Sequence, residues 1–296
     1  MRLFYSSDYA GAAHAFETTR KAAWIADSLR TSPIDGVFLT VPKPLEPAAL
    51  LEVHEEIYVR AIRSGEPRNL AESQRFPWDA GLWPMVLASN GGMVAAALSA
   101  LADGVSGSLS SGLHHARRHR GHGYCTFNGL VLAARAAQRV GASSVLILDL
   151  DAHCGGGTAR LIENDPLIWQ IDVSVCRFDA YESSDRCHLE MVDVAAGYLP
   201  AIERLLGKAG RLDPGFDLCL YNAGMDPHEH SDGGRRGITA EILEERERMV
   251  FSWCRERGVP VAFALAGGYL SNRLDQAGLV ALHRLTIAEA ARIGRI

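Results

Sequence analysis

Short, near-continuous apolar runs alternate along this chain with longer amphipathic segments, and that alternation restricts the fold more than any other feature. The clearest run, Val145-Leu146-Ile147-Leu148, contains no polar residue. A strand of this kind is buried on both faces, which points to a parallel sheet covered by helices on each side. The pattern predicts strands at 36–39, 145–149, 168–173, 217–222 and 261–265. It predicts helices at about 15–29, 85–102, 128–140, 199–209, 239–257 and 272–290. Thr239 opens one of these with acidic residues early and arginines late, as the helix macrodipole favours, and Gly258 and Pro260 close it. No repeat, linker or composition break divides the 296 residues. The expectation is an α/β fold, a single domain over 1–296 with three layers, α/β/α, and a mainly parallel central sheet.

Composition narrows the functional classes. Hydrophobic residues make up 48% of the chain and the mean hydropathy is near zero, as in a globular protein with a large core. A formal net charge of -5 without blocks of like charge gives no reason to expect nucleic acid or a membrane as partner. The one basic cluster, Arg117-Arg118-His119-Arg120, reads as a solvated loop or helix face. Six scattered cysteines form no Cys-x-x-Cys pair, which argues against a disulfide framework and against an all-cysteine zinc site. The N-terminal residues lack the pattern of a signal peptide, and no apolar run reads as long enough to span a bilayer. A reducing, cytoplasmic setting is expected.

Open α/β sheets bind ligands beyond the carboxyl ends of their strands. Three predicted ends carry reactive residue types: Asp149-Leu150-Asp151-Ala152-His153, Ala223-Gly224-Met225-Asp226 and Ala266-Gly267-Gly268-Tyr269. If the first stays extended, Asp149, Asp151 and His153 project from one face. Two carboxylates and an imidazole suit a divalent cation such as Zn²⁺ or Mn²⁺. A fourth segment, His114-His115 with Gly123-Tyr124-Cys125-Thr126-Phe127-Asn128 behind it, reads as a loop, because adjacent side chains on a strand cannot face the same way.

In these ordered segments, from about Phe76 to Tyr269, the chain resembles the zinc-dependent histone deacetylase superfamily of the arginase/deacetylase fold, in its compact bacterial or class IV-like branch. The resemblance implies one Zn²⁺ held by Asp151, His153 and Asp226, with a coordination position left for water and substrate. It implies that His115 is the general base, that Asp149 supports His114, and that Tyr269 donates its phenol to the oxyanion. Gly123 and Tyr124 would line the substrate tunnel, and Gly267 and Gly268 would let the backbone place Tyr269. A structural K⁺ near Asp149, Asp151, His153 and Ser174 is also implied. The activity implied is hydrolysis of an acylated amine, either a protein acetyl-lysine or a small molecule such as an acetylpolyamine.

The chain departs from the family pattern after the metal motif. Gly156 stands where an Asp or Asn usually braces the second histidine, so His115 is expected to lack its orienting partner. The expected result is a working enzyme whose base has a lowered pKa and an altered pH dependence. Cys154 reads as a buried bystander, and His228 and His230 as part of a solvated loop. Arg235 and Arg236 are read as selectors of acidic substrates. Two rivals stand beside the deacetylase: an arginase-like manganese ureohydrolase, which needs an Asp where Gly155 lies, and a pseudoenzyme that binds acylated amines without cleaving them.

Overall fold

The computed structural model describes residues 1–12, 17–212 and 215–294. Its strands are β1 (Arg2–Phe4), β2 (Phe38–Thr40), β3 (Val105–Ser108), β4 (Val145–Asp149), β5 (Ile168–Ser174), β6 (Cys187–Met191), β7 (Leu218–Asn222) and β8 (Val261–Ala264). They form one sheet in the order β2-β1-β3-β8-β7-β4-β5-β6, with every neighbouring pair parallel. The helices of the first half are α1 (Glu17–Thr31), α2 (Pro47–Leu50), α3 (Glu56–Ser64), α4 (Arg68–Ala71), α5 (Leu82–Asp103) and α6 (Gly129–Arg139). Those of the second half are α7 (Gly156–Ile162), α8 (Tyr198–Ala209), α9 (Ala240–Glu256) and α10 (Gln276–Ile293).

The apolar run of β4 shows why three layers form. Val145 and Ile147 enter a core shared with α3, α5, α6 and α7, whereas Leu146 and Leu148 enter the core made with α1, α8, α9 and α10. All four are fully buried, so a period of two with no polar side requires helices on both faces. The three-layer α/β/α expectation holds, and the sheet is parallel throughout.

Three strands escape the sequence pattern. β1 has only three residues, β3 reads Val-Ser-Gly-Ser, and β6 is an edge strand that is mostly half-buried. None carries the apolar run that marks a doubly covered strand. The helix predicted from residue 15 begins at Glu17, and its predicted first residues lie outside the described ones. Helix α5 corrects another expectation, since by length and composition it is apolar enough to cross a bilayer. Yet 72% of its most apolar stretch is buried inside the molecule, as in a core helix.

Strands β3, β8, β7, β4 and β5 are consecutive in the sheet, and their carboxyl ends open on one side. Each of these ends leads directly into a segment that carries candidate site residues.

Candidate active site

Strand β4 stops at Asp149, and the chain then turns rather than continuing extended. The Asp151 amide donates to Asp149 Oδ1 (3.3 Å), and the His153 amide donates to Asp151 Oδ1 (3.0 Å). The turn separates residues that an extended chain would have kept on one face. Asp149 is directed to His114, while Asp151 and His153 meet Asp226 beyond β7. Candidate ligand atoms of Asp151, His153 and Asp226 all lie within 4.8 Å of one another. His153 Nδ1 is 3.1 Å from Asp151 Oδ1 and 3.0 Å from Asp226 Oδ2.

The chemistry of this group fits a divalent cation. Asp226 Oδ2 is buried and receives no well-aligned hydrogen bond, with His153 Nδ1 3.0 Å away, so a cation shared by Asp151, His153 and Asp226 would satisfy it. Burial opposes charge on His153, but Asp151 and Asp226 outweigh it and hold the imidazole well above its ordinary pKa. Burial and the nearby Asp151 push Asp226 upward. Gly267 is required here by close approach. A Cβ at that position would lie 2.2 Å from Asp226 Oδ2 and 2.4 Å from Asp151 Oδ2, and its amide donates to Asp151 Oδ2 (2.6 Å). Among the described residues one such three-ligand group occurs. An Asp at 155, which a second bridged metal would need, has no room: a Cβ there would lie 2.6 Å from Asp149 Oδ2.

Two histidine–carboxylate pairs flank this group. His114 Nδ1 is 2.7 Å from Asp149 Oδ2, and Asn222 Nδ2 donates to Asp149 Oδ1 (2.8 Å). Burial disfavours the His114 cation, but Asp149 and Asp151 prevail and raise its pKa to about 10. His115 behaves oppositely. Burial and the cationic His114 push it down to about 3, against the upward pull of Asp179. The two rings lie side by side, with centroids 4.0 Å apart.

Asp179 overturns the expectation that His115 has no orienting partner. Its Oδ2 lies 3.0 Å from His115 Nδ1. Its Oδ1 is bound by Arg117 and lies 3.6 Å from an Arg160 nitrogen. The lowered pKa of His115 was expected, but its cause is burial beside a charged neighbour rather than a missing carboxylate. Arg117 is correspondingly buried and belongs to this network, not to a solvated basic face.

A cavity of about 590 Å³ reaches this group, lined by His115, Gly123, Tyr124, His153, Phe178 and Tyr269 among others. Tyr124 is 39% exposed and so forms wall rather than core; its ring lies 5.1 Å from that of Phe76. Phe178 stacks on His122 with ring planes 13° apart. Tyr269 lines the same cavity, its ring centroid 6.3 Å from that of His153. Its amide is held by Ser231 Oγ (3.1 Å), and Gly268 packs against His283 and Leu279 of α10.

Other expectations resolve as follows. Cys154 is fully buried with its thiol 3.4 Å from the Cys176 carbonyl, a bystander to the metal-binding group as expected. Arg235 donates to the Val175 carbonyl (2.5 Å), which ties down the guanidinium expected to select acidic substrates. His228 is buried rather than solvated, with its ring beside that of His230. Behind this group Ser174 Oγ donates to Asp172 Oδ1 (2.5 Å) and the Gly155 amide to Asp172 Oδ2 (2.6 Å). Burial and the neighbouring Asp149 push Asp172 upward.

Sequence reasoning missed Asp179, Phe178 and Arg246. The first two lie in a turn after β5 with no motif of their own. Arg246 sits fully buried on α9 and donates to the carbonyls of Leu150 (3.1 Å) and Gly224 (2.6 Å), tying together the two loops that carry Asp151 and Asp226. Its signal was an Arg-Glu pair on the buried, mostly apolar face of an amphipathic helix.

Comparison with known proteins agrees with this arrangement. An uncharacterized protein of Picosynechococcus is 34% identical over 247 residues, covering 81% of this chain and 80% of that one. Histone deacetylase 2 of Arabidopsis thaliana is 28% identical over 250 residues; the match covers 78% of this chain and 64% of the plant protein. The crystal structure of the HDA15 HD domain superposes with a TM-score of 0.82 at 18% identity, covering 98% of this chain and 89% of that domain, a likeness of fold. The histone deacetylase domain matches residues 14–285, and the chain belongs to that family.

Proposed function

We propose that this protein is a zinc-dependent hydrolase that removes an acetyl or other acyl group from an acylated amine. The observation that carries the reading is the convergence of adjacent His114 and His115, each with a carboxylate at its Nδ1, beside one three-ligand group, with burial lowering His115 while Asp149 raises His114. Environments that drive neighbouring pKa values apart separate a base from an acid. Asp151, His153 and Asp226 would hold Zn²⁺, which when bound supplies Lewis acidity to the acyl carbonyl and to the attacking water.

The chain's own groups do the rest. His115 accepts a proton from the water as the water oxygen bonds to the acyl carbon. It returns that proton to the amine nitrogen as the C–N bond breaks. His114, cationic on Asp149, stabilises the negative charge that gathers at the carbonyl oxygen, and the Tyr269 phenol donates to the same oxygen. Tyr124 and Phe178 offer apolar walls to the alkyl stem of the amine. Gly123 allows the close approach of that wall to His115. The six cysteines are free thiols, which supports a reducing, cytoplasmic setting as part of the proposal.

The test is purified zinc-loaded protein assayed on acetyl-lysine peptides, longer acyl-lysines and acetylpolyamines. Turnover of at least one substrate is expected, abolished by Asp151→Ala and reduced about 10²–10³-fold by Tyr269→Phe. Binding of acylated amines without turnover would establish the pseudoenzyme instead. Two manganese ions per chain with activity on a guanidino substrate would establish the ureohydrolase.

A further inference from the structure

The segment Arg177-Phe178-Asp179 leaves the end of β5 and turns back over the cavity, with Asp179 in the left-handed region at φ 62°. The Cys154 amide fixes this turn by donating to the Phe178 carbonyl (3.0 Å). The result is a nearly buried carboxylate, its side chain 2% exposed, aimed at His115. A Cβ on residue 156 would lie 2.1 Å from the Asp179 carbonyl oxygen and 2.7 Å from its Oδ1. Only glycine at 156 leaves room for residue 179 where it stands. The position that lacks a carboxylate and the position that supplies one therefore occupy the same space.

The charge balance around Asp179 differs from that around Asp149. Asp149 receives the Asn222 amide and the His114 ring, with no cation other than that ring bonded to it. Asp179 divides its oxygens: Oδ2 meets His115 Nδ1, while Oδ1 faces the guanidinium groups of Arg117 and Arg160. A carboxylate balanced by arginine can orient an imidazole through Nδ1–H without drawing a second proton onto it. That leaves Nε2 as the nitrogen free to accept a proton.

We propose that Asp179 is the positioning residue of His115, supplied by the turn after β5 in place of a side chain at 156 and balanced by Arg117 and Arg160. The proposal rests on the deacetylase reading for its kinetics but not for its geometry. Asp179→Gly is the informative variant, since glycine accepts the left-handed backbone and the turn can keep its path. With acyl-amine substrate, kcat should fall about 10–100-fold while KM and metal content stay near those of the wild type, and the thermal midpoint should drop because the buried Arg117 loses its carboxylate, so kinetics are read well below that midpoint. Formate, a carboxylate small enough for the vacated space beside Arg117, should restore kcat saturably. A kcat within threefold of wild type, a loss confined to KM, or a loss that formate leaves untouched would each overturn the proposal. Imidazole ¹⁵N spectra need no turnover and separate this idea from the assigned reaction. His115 should be a fixed Nδ1–H tautomer in the wild type and a mixture in Asp179→Gly, and identical spectra would refute the positioning role.

Discussion

Gly156 and Asp179 illustrate how one residue's meaning depends on the space around it. Taken from the motif alone, Gly156 is a deletion of function, and restoring Asp there ought to be harmless or helpful. With a Cβ only 2.1 Å from a backbone oxygen, the opposite is expected. Gly156→Asp should destabilise the fold by about 1–3 kcal/mol through overpacking and should lower activity by displacing the 177–179 turn. Thermal melts and kcat of the single variant check this; an unaltered midpoint with higher kcat would show that the turn moves aside freely.

At the scale of elements, α9 does more than cover the sheet. Its Arg246 is fully buried, paired with Glu247, and bound to carbonyls of both loops that present metal-binding carboxylates. Tyr221 of β7 donates to the same Glu247 (2.9 Å), so strand, helix and loops share one polar knot. Arg246→Met leaves Glu247 buried and unpaired and should cost about 3–5 kcal/mol. Arg246→Met/Glu247→Met should recover most of that stability, yet still bind zinc more weakly, because the two carbonyls lose their common donor. Urea denaturation and chelator competition separate the two effects. What the sequence made legible follows the same division. Strands β4, β7 and β8 announced themselves because double burial demands apolar runs, and the segments after them marked the candidate site residues. The turn after β5 and the knot on α9 did not, because their roles depend on which distant segments meet them. His115 and Asp179 are 64 positions apart, and no local period encodes such a meeting.

For the molecule as a whole, His54 sets a limit on acid stability. Its Nδ1 is 2.8 Å from the Arg117 carbonyl, and its Nε2 accepts the Asn128 amide (3.1 Å). It thereby joins the two ends of the loop that carries Tyr124, just beyond His115. A second proton would place a donor against the Asn128 N–H, and burial pushes the folded pKa from its ordinary 6.5 down to about 4. Above pH 6.5 the ring is neutral in folded and unfolded chains alike and adds no pH dependence. As pH falls from 6.5 to about 4, the unfolded chain takes up a proton that the folded chain refuses, so stability is lost across that window and levels off below it. The loss amounts to about 3 kcal/mol. Urea midpoints between pH 4 and 7 should show this slope in the wild type and a shallower one in His54→Asn; equal slopes would assign the effect to other groups.

The clash at position 156 also constrains history. A carboxylate at 156 and one at 179 are exclusive alternatives, so neither can be added to a chain that already uses the other. A lineage crossing between them must first give up the side chain at 156 and leave His115 without a carboxylate until residue 179 supplies one. The expected outcome is that a side chain at 156 and a carboxylate at 179 do not occur together among relatives, which aligning those two positions checks.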